Sequence, residues 1–267
     1  MKTIKDLINL NGRRALITGA TGNLGIVISE TLAELGANLI LVDKPDSNIN
    51  ELLKSLKNRF DIEIDYQECD LESPIERLEL INFVKSSFKE VNILINNAAF
   101  VGTTNLQGWG VPFEEQSIDT WRRAIEVNLT APFDLCQKLL SNLSNSEGAS
   151  IINIASIYGQ YGPDWSLYAD TKMSNPAAYA ASKGGLIQFT RWLSTTLAPK
   201  VRVNAISPGG IFRNQPDVFV EKYHARTPLK RMASEEDFKG AIAFLSSDMS
   251  NYVTGQIMQI DGGWGVW

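Results

Sequence analysis

The chain has 267 residues, 44% of them apolar, with 25 Lys and Arg against 30 Asp and Glu. That length suits one large buried core, and the mild acidity argues against a nucleic-acid backbone or an anionic membrane as partner, leaving a small molecule as the expected ligand. No apolar run is long enough for a membrane span, and the opening MKTIKDLINLNGRR has neither the apolar stretch nor the cleavage site of a signal peptide, so a cytoplasmic location is expected.

Short β-branched runs recur at 15–18, 38–42, 62–66, 91–95, 150–155, 201–206 and 256–260 and read as seven buried strands. Helical patterns lie between them at 24–36, 49–58, 74–89, 119–143, 177–198 and 234–246. This alternation predicts an α/β fold, a single Rossmann-type doubly wound parallel sheet with helices on both faces, forming one domain over 1–267. The segments 96–116, 158–176 and 209–233 look irregular and each follows a strand. Ligands in such sheets bind beyond the carboxyl ends of strands, so these segments are the expected site walls.

The first strand runs into Thr18-Gly19-Ala20-Thr21-Gly22-Asn23-Leu24-Gly25 and then an apolar-periodic helix. Small residues there let backbone amides and the helix dipole approach a pyrophosphate, which makes Gly19, Thr21, Asn23 and Leu24 candidate dinucleotide contacts. A plain glycine-rich strand-to-helix turn is the alternative. The second strand ends near Asp43, placed to accept both adenosine ribose hydroxyls. A 2′-phosphate would meet that carboxylate as a like charge, and no Arg or Lys lies within 19–25 to offset it, so NAD is expected rather than NADP; Lys44 opposes this slightly.

Cys69 and Cys136 sit far apart in apolar-periodic segments and read as buried thiols rather than a disulfide. The only histidine is His224, and no His, Cys and carboxylate cluster has metal-ligand spacing, which removes zinc catalysis and a Ser-His-Asp triad. No metal is expected. The acid or base must be found elsewhere.

The remaining motifs arrive in a fixed order. Asp70-Leu71 follows the third strand, Asn96-Asn97-Ala98-Ala99 the fourth, Asn128 lies in a helix, and Ser156 follows the fifth strand. Tyr179-Ala180-Ala181-Ser182-Lys183 comes next, then Ser207-Pro208-Gly209 and finally Asp261-Gly262-Gly263. With the glycine turn they make nearly the whole chain resemble the short-chain dehydrogenase/reductase family.

Tyr179 and Lys183 are four apart and share a helix face. Charges about 5 Å apart at an effective dielectric near 20 attract by roughly 3 kcal/mol, enough to lower a phenol pKa by about two units. Tyr179 is then a general base toward an alcohol or a general acid toward a carbonyl. The resemblance implies that Lys183 also reaches the nicotinamide ribose, that Ser156 hydrogen-bonds the reacting oxygen, and that Asn128 holds a proton-relay water, completing a catalytic tetrad. It further implies Asp70 near the adenine amino group, Asn97 and Ala98 along the cofactor, Leu71 and Ile211 contributing backbone, and Pro208 and Gly209 beside it.

The chain departs from the family pattern at four places. Asn23 stands where a third small residue is usual in the turn, Ala99 replaces a common Gly, and Arg213 stands where a Thr usually follows Pro-Gly. The interval from Ser156 to Tyr179 is longer than usual, so 161–175 reads as a substrate-loop extension. Within it Tyr168 and Lys172 form a second Tyr-x-x-x-Lys. The amphipathic pattern after Tyr179 (Leu186, Ile187, Phe189, Trp192) and the helix-starting Pro176 select Tyr179 over Tyr168.

The stretch 207–216, with Arg226-Thr227-Pro228-Leu229, resembles oxidoreductases of bacterial flagellin-modification and surface-sugar gene clusters. That implies a sugar phosphate or nucleotide sugar, whose anion Lys172, Arg213, Lys222, His224 or Arg226 would suit. Ser156, Arg213, His224 and Arg226 are the candidate substrate contacts, and solvated surface charge is an equal reading for the charged ones. Two alternatives stand beside this one: a 3-oxoacyl thioester or small-polyol reductase of the same family, and a non-catalytic NAD-sensing protein. Surplus apolar residues in 119–143 and 177–198, with Trp264 and Trp267 beyond the last strand, predict a homo-oligomer, by resemblance a tetramer.

Overall fold

The computed structural model describes residues 1–101 and 106–267. Its sheet comprises β1 (Arg14–Thr18), β2 (Asn38–Asp43), β3 (Ile64–Glu68), β4 (Ile93–Asn96), β5 (Ala149–Ile154), β6 (Val201–Pro208) and β7 (Ile257–Ile260). All six pairings are parallel and the order is β3-β2-β1-β4-β5-β6-β7, so the chain reverses direction across the sheet between β1 and β4.

The helices are α1 (Ile4–Ile8), α2 (Asn23–Glu34), α3 (Ile49–Arg59), α4 (Pro74–Ser87), α5 (Ile118–Ile125), α6 (Ala131–Lys138), α7 (Leu140–Ser144), α8 (Ala177–Leu197), α9 (Asp217–Arg226) and α10 (Lys239–Ser246). Side chains alternate along a strand, so Ala15 and Ile17 of β1 pack with α2, α3 and α10 while Leu16 packs with α4, α6 and α7 on the other face. Burial of both faces explains why the strands read as continuous apolar runs, and the doubly wound expectation holds. No described helix is long and apolar enough to cross a membrane. Cys69 and Cys136 are buried and unpaired, and burial pushes both thiols up to about 12.

Several boundaries differ from the sequence reading. The helix expected over 119–143 runs on through a π-helical turn, Glu126–Thr130, that joins α5 to α6 with helical backbone on both sides, the Ala131 amide donating to the Glu126 carbonyl. Pro132, which has no N–H to donate back along the helix, follows this turn, where the wider hydrogen-bonding pattern accommodates it. The strand expected at 62–66 begins at Ile64, where pairing with Leu39 starts. Segment 209–233 is not wholly irregular, since α9 starts after Pro216 and buries Phe219 and Tyr223. Of the expected wall 96–116, residues 102–105 lie outside the described residues. Trp264 is corrected as an oligomer contact: it is 2% exposed, packed within the chain against Tyr158 and Tyr161.

Candidate active site

The switch between β1 and β4 opens a cleft of about 480 Å³ at the carboxyl ends of the strands. One wall is the turn from β1 into α2. Gly19 has φ +65°, and a Cβ there would lie 2.8 Å from the Ala98 Cα, while a Cβ on Gly25 would run into the Gly19 carbonyl. These glycines therefore let helix, turn and the Asn97-Ala98 segment close on one another. Gly22 caps α2 without a side-chain hydrogen bond and the first turn holds no acidic residue. Its amides and dipole are left for an anion, as a pyrophosphate requires. Thr21, Asn23, Leu24, Leu71, Asn97, Ala98, Pro208, Gly209 and Ile211 all line this cleft, as expected for the dinucleotide contacts.

Asp43, at the end of β2, also lines the cleft. Its Oδ2 accepts from the Thr21 amide and hydroxyl, both at 2.7 Å, and its Oδ1 from the Lys44 amide at 2.8 Å. The carboxylate thus locks the glycine turn to the second strand. Asn97 braces the other side, donating from Nδ2 to the carbonyls of Thr18 and Gly19 at 3.0 and 2.9 Å. Asp70 lies between the lining residues Cys69 and Leu71; its carboxylate accepts the Glu72 amide at 3.0 Å and faces Nζ of the lining residue Lys44 at 4.0 Å.

At the inner end of the cleft β5 delivers Ser156 and α8 delivers Tyr179 and Lys183. Gly159 permits their approach, since a Cβ there would lie 2.7 Å from the Lys183 carbonyl carbon. A buried polar rung fixes the register of these elements: Asn96 donates to Asn153 at 2.8 Å, and Asn153 to the Thr190 hydroxyl of α8 at 2.9 Å.

Lys183 is 2% exposed, and its Nζ donates to the Ile154 carbonyl at 2.7 Å, 5.9 Å from the Tyr179 ring centre. Burial pulls its pKa down to about 8. Burial is also the largest influence on Tyr179 and pushes the phenol up, while the Ser156 hydroxyl and the Arg213 charge pull it down. The expected two-unit lowering by Lys183 is therefore corrected. Both ions are taken out of water, and the ammonium is turned toward a β5 carbonyl.

Asn128 does not line the cleft. Lying in the π turn, its Oδ1 accepts from the Phe100 amide at 2.6 Å and its Nδ2 donates to the Ser182 hydroxyl at 3.0 Å, one residue before Lys183. It ties the segment after β4 to the tyrosine helix.

A second cleft of about 480 Å³ adjoins the first and shares Ser156, Tyr179, Pro208 and Gly209 with it. Its far wall includes Tyr158, Tyr168, Lys172, Asn175 and Phe219. The charged candidates divide between the clefts and the surface. Arg213 lines the dinucleotide cleft and pairs with Glu235 at 3.1 Å, and Lys172 lines the second cleft. His224 and Arg226, also expected as substrate contacts, line neither cleft. Arg226 is occupied by the Trp267 carbonyl, Asp164 and the face of Trp264, while His224 sits on α9 outside both walls. Lys222 donates to the Ala169 carbonyl at 2.7 Å. The sequence reading missed Tyr158, Asn175 and Gln215, which line the second cleft. Asn175 reads as a turn residue before Pro176, and nothing in its local pattern marks it as facing a ligand.

The family model described as enoyl-(acyl carrier protein) reductase matches residues 19–265. The 3-oxoacyl-[acyl-carrier-protein] reductase of Rickettsia felis is 33% identical, over 96% of this chain and 98% of its own. A post-translational flagellin modification protein A of Campylobacter coli is 27% identical, over 96% of this chain and all of its own. Among solved structures, a short chain dehydrogenase from Leptospira borgpetersenii with bound NAD+ superposes with a TM-score of 0.84 at 31% identity, covering 99% of this chain and 96% of that one.

Proposed function

The chain belongs to the short-chain dehydrogenase/reductase family of nicotinamide-dependent oxidoreductases, and from that premise we propose that it interconverts an alcohol and a carbonyl on a hydroxylated, anionic substrate with NAD(H). The observation behind this reading is the meeting of Ser156, Tyr179 and Lys183 where the two clefts join. The first cleft fits a dinucleotide, with uncapped helix amides at one end and a ribose-facing carboxylate at the other. The bound nicotinamide supplies the hydride acceptor and, when oxidised, a positive charge.

In the oxidation, the substrate O–H proton passes to the Tyr179 phenolate oxygen as the carbonyl forms, and a nicotinamide bound in the first cleft would accept the C–H electron pair with its hydrogen, so that the released proton is the one now on Tyr179. Ser156 holds the reacting oxygen by hydrogen bonding. Tyr179 needs help to ionise in a buried site. Ser156 and Arg213 already pull it down, and Lys183, lowered by burial to about 8, is poised to exchange a proton with it. Asn128 acts as a positioning residue for this helix and the relay beside it. Arg213 and Lys172 are the cations available to a phosphate or carboxylate.

The test is a turnover screen of sugar phosphates and nucleotide sugars with NAD+ and of their keto forms with NADH. Formation or consumption of NADH with a member of this panel is expected. Turnover confined to 3-oxoacyl thioesters would instead establish the second reading, which the similarity to acyl-carrier-protein reductases favours.

Family members hold either NAD or NADP, and Asp43 supports NAD here. A 2′-phosphate would approach a carboxylate already bound to Thr21, with only the exposed Lys44 to offset it. Wild-type kcat/KM should favour NAD(H), and Asp43→Ala should narrow that preference by about tenfold, the size of one lost charge discrimination. A wild-type enzyme faster and tighter with NADP(H) would overturn the argument.

Self-association is part of the same reading. Trp121, Phe133 and Trp192 on α5, α6 and α8 are 37%, 43% and 58% exposed, a large aromatic area for one isolated subunit. Sedimentation at micromolar concentration should show an oligomer, and a stable monomer would remove the idea.

A further inference from the structure

We propose that Tyr158, Tyr168 and Asn175 form a recognition subsite for a second hydroxyl on the substrate, close to the reacting carbon, which makes the substrate a vicinal diol or its ketol. The inference rests on the alcohol-to-carbonyl reading of Ser156 and Tyr179, and deepens it. All three residues line the second cleft together with that pair.

Donor and acceptor arithmetic supports it. The Tyr158 and Tyr168 hydroxyl oxygens lie 2.5 Å apart. Asn175 is 7% exposed, and its Oδ1 has no hydrogen-bond partner among the described residues. Buried polar atoms are nearly always paired, and leaving one out of water unpaired costs about 1–3 kcal/mol. Either oxygen can be the donor in the Tyr158–Tyr168 contact, and a phenol has one proton, so whichever tyrosine donates, the O–H of the other is left over. One phenol O–H of the pair is then left to donate and Asn175 Oδ1 to accept.

A hydroxyl does both at once. An alkyl chain or an isolated carbonyl has no proton to give Asn175. Tyr168 is also held rigidly, packed against Trp165 and Phe219 with ring centres 5.7 and 5.4 Å away, so little ordering remains to be done on binding. The segment 161–175 thus acts through its inner face on substrate choice. Its Tyr168-x-x-x-Lys172 pattern needs no part in proton transfer.

The test compares alcohols differing by one hydroxyl: butane-2,3-diol with butan-2-ol, and cyclohexane-1,2-diol with cyclohexanol. Initial rates with NAD+ are measured for wild type, Tyr168→Phe and Asn175→Leu, with NADH binding followed by fluorescence. Wild-type kcat/KM should favour the diol at least about tenfold, and each variant should reduce that ratio about five- to tenfold, the worth of one hydrogen bond. A purely structural role would lower both members of a pair and leave the ratio unmoved, which overturns the subsite. A wild-type ratio near one overturns it as well. Tyr168→Phe removes a single oxygen and keeps the test open if Asn175→Leu fails to fold. A wild type that binds NADH yet turns over neither these alcohols nor any sugar phosphate, nucleotide sugar or 3-oxoacyl thioester overturns the alcohol-to-carbonyl reading, whereas turnover without the diol preference, or turnover of that second panel with both diols inert, overturns the subsite alone.

Discussion

Tyr179→Phe should lower kcat by at least about 10³-fold with cofactor affinity retained, while Tyr168→Phe should cost less than tenfold on the same substrate. The first change removes the group that takes or gives the proton, a contribution of at least about 4 kcal/mol to the barrier. It leaves the ring, and so the packing against Phe100, Trp109 and Ala124, in place. In the proposed site the turn after β1 and Asp43 hold the dinucleotide, and no hydrogen bond joins either of them to the phenol oxygen. Tyr168 lines only the second cleft, and its oxygen is engaged with Tyr158. Steady-state rates and NADH binding on the two variants decide the matter. The reverse ranking would place proton transfer on the loop extension and remove the present mechanism.

That contrast between two Tyr-x-x-x-Lys pairs shows what could be read in the sequence. Tyr179 was separable because 177–198 has a long amphipathic pattern behind a proline, and α8 does run Ala177–Leu197. The strands were legible because a parallel sheet covered on both faces writes itself as apolar runs, down to the order in which the glycine turn, Asp43 and Ser156 reach one edge. What failed depends on tertiary contacts. The π-helical turn at Glu126–Thr130 is invisible to a periodicity that keeps the same apolar faces on either side. The charges on α9 read as substrate contacts because their type suits an anion, but residue type does not say which face of α9 meets a cleft: Phe219 and Tyr223 line the second cleft, and His224 and Arg226 line neither. The lowering of the tyrosine by its lysine was a two-body argument. It omitted the desolvation of both partners, which is the larger effect in the folded chain. Asn175 was missed since a single buried carboxamide leaves no pattern.

Lys183→Met should reduce kcat by about 10²- to 10³-fold and at the same time abolish one alkaline component of stability. The catalytic loss follows from removing the proton-exchanging group beside Tyr179, and the wild-type inflection expected near pH 8 in the rate profile should disappear with it. For stability, the folded pKa of about 8 lies below the ordinary lysine value of 10.5. Between those two pH values the unfolded chain binds more protons than the folded one, so this group makes stability rise with pH across that window. Below pH 8 the buried ammonium is a cost of order 3 kcal/mol, set by its transfer out of water and only partly offset by the Ile154 carbonyl at 2.7 Å. Methionine cannot titrate. The stability of wild type minus that of the variant should therefore increase from pH 8 to 10.5, as measured by urea unfolding at several pH values. The absolute offset between them also contains the unpaired Ile154 carbonyl left in the variant, so the slope is the diagnostic quantity. A difference that is flat or falls over that window would mean that Lys183 is not held with a lowered pKa, and a variant retaining kcat within tenfold would remove it from the proton path.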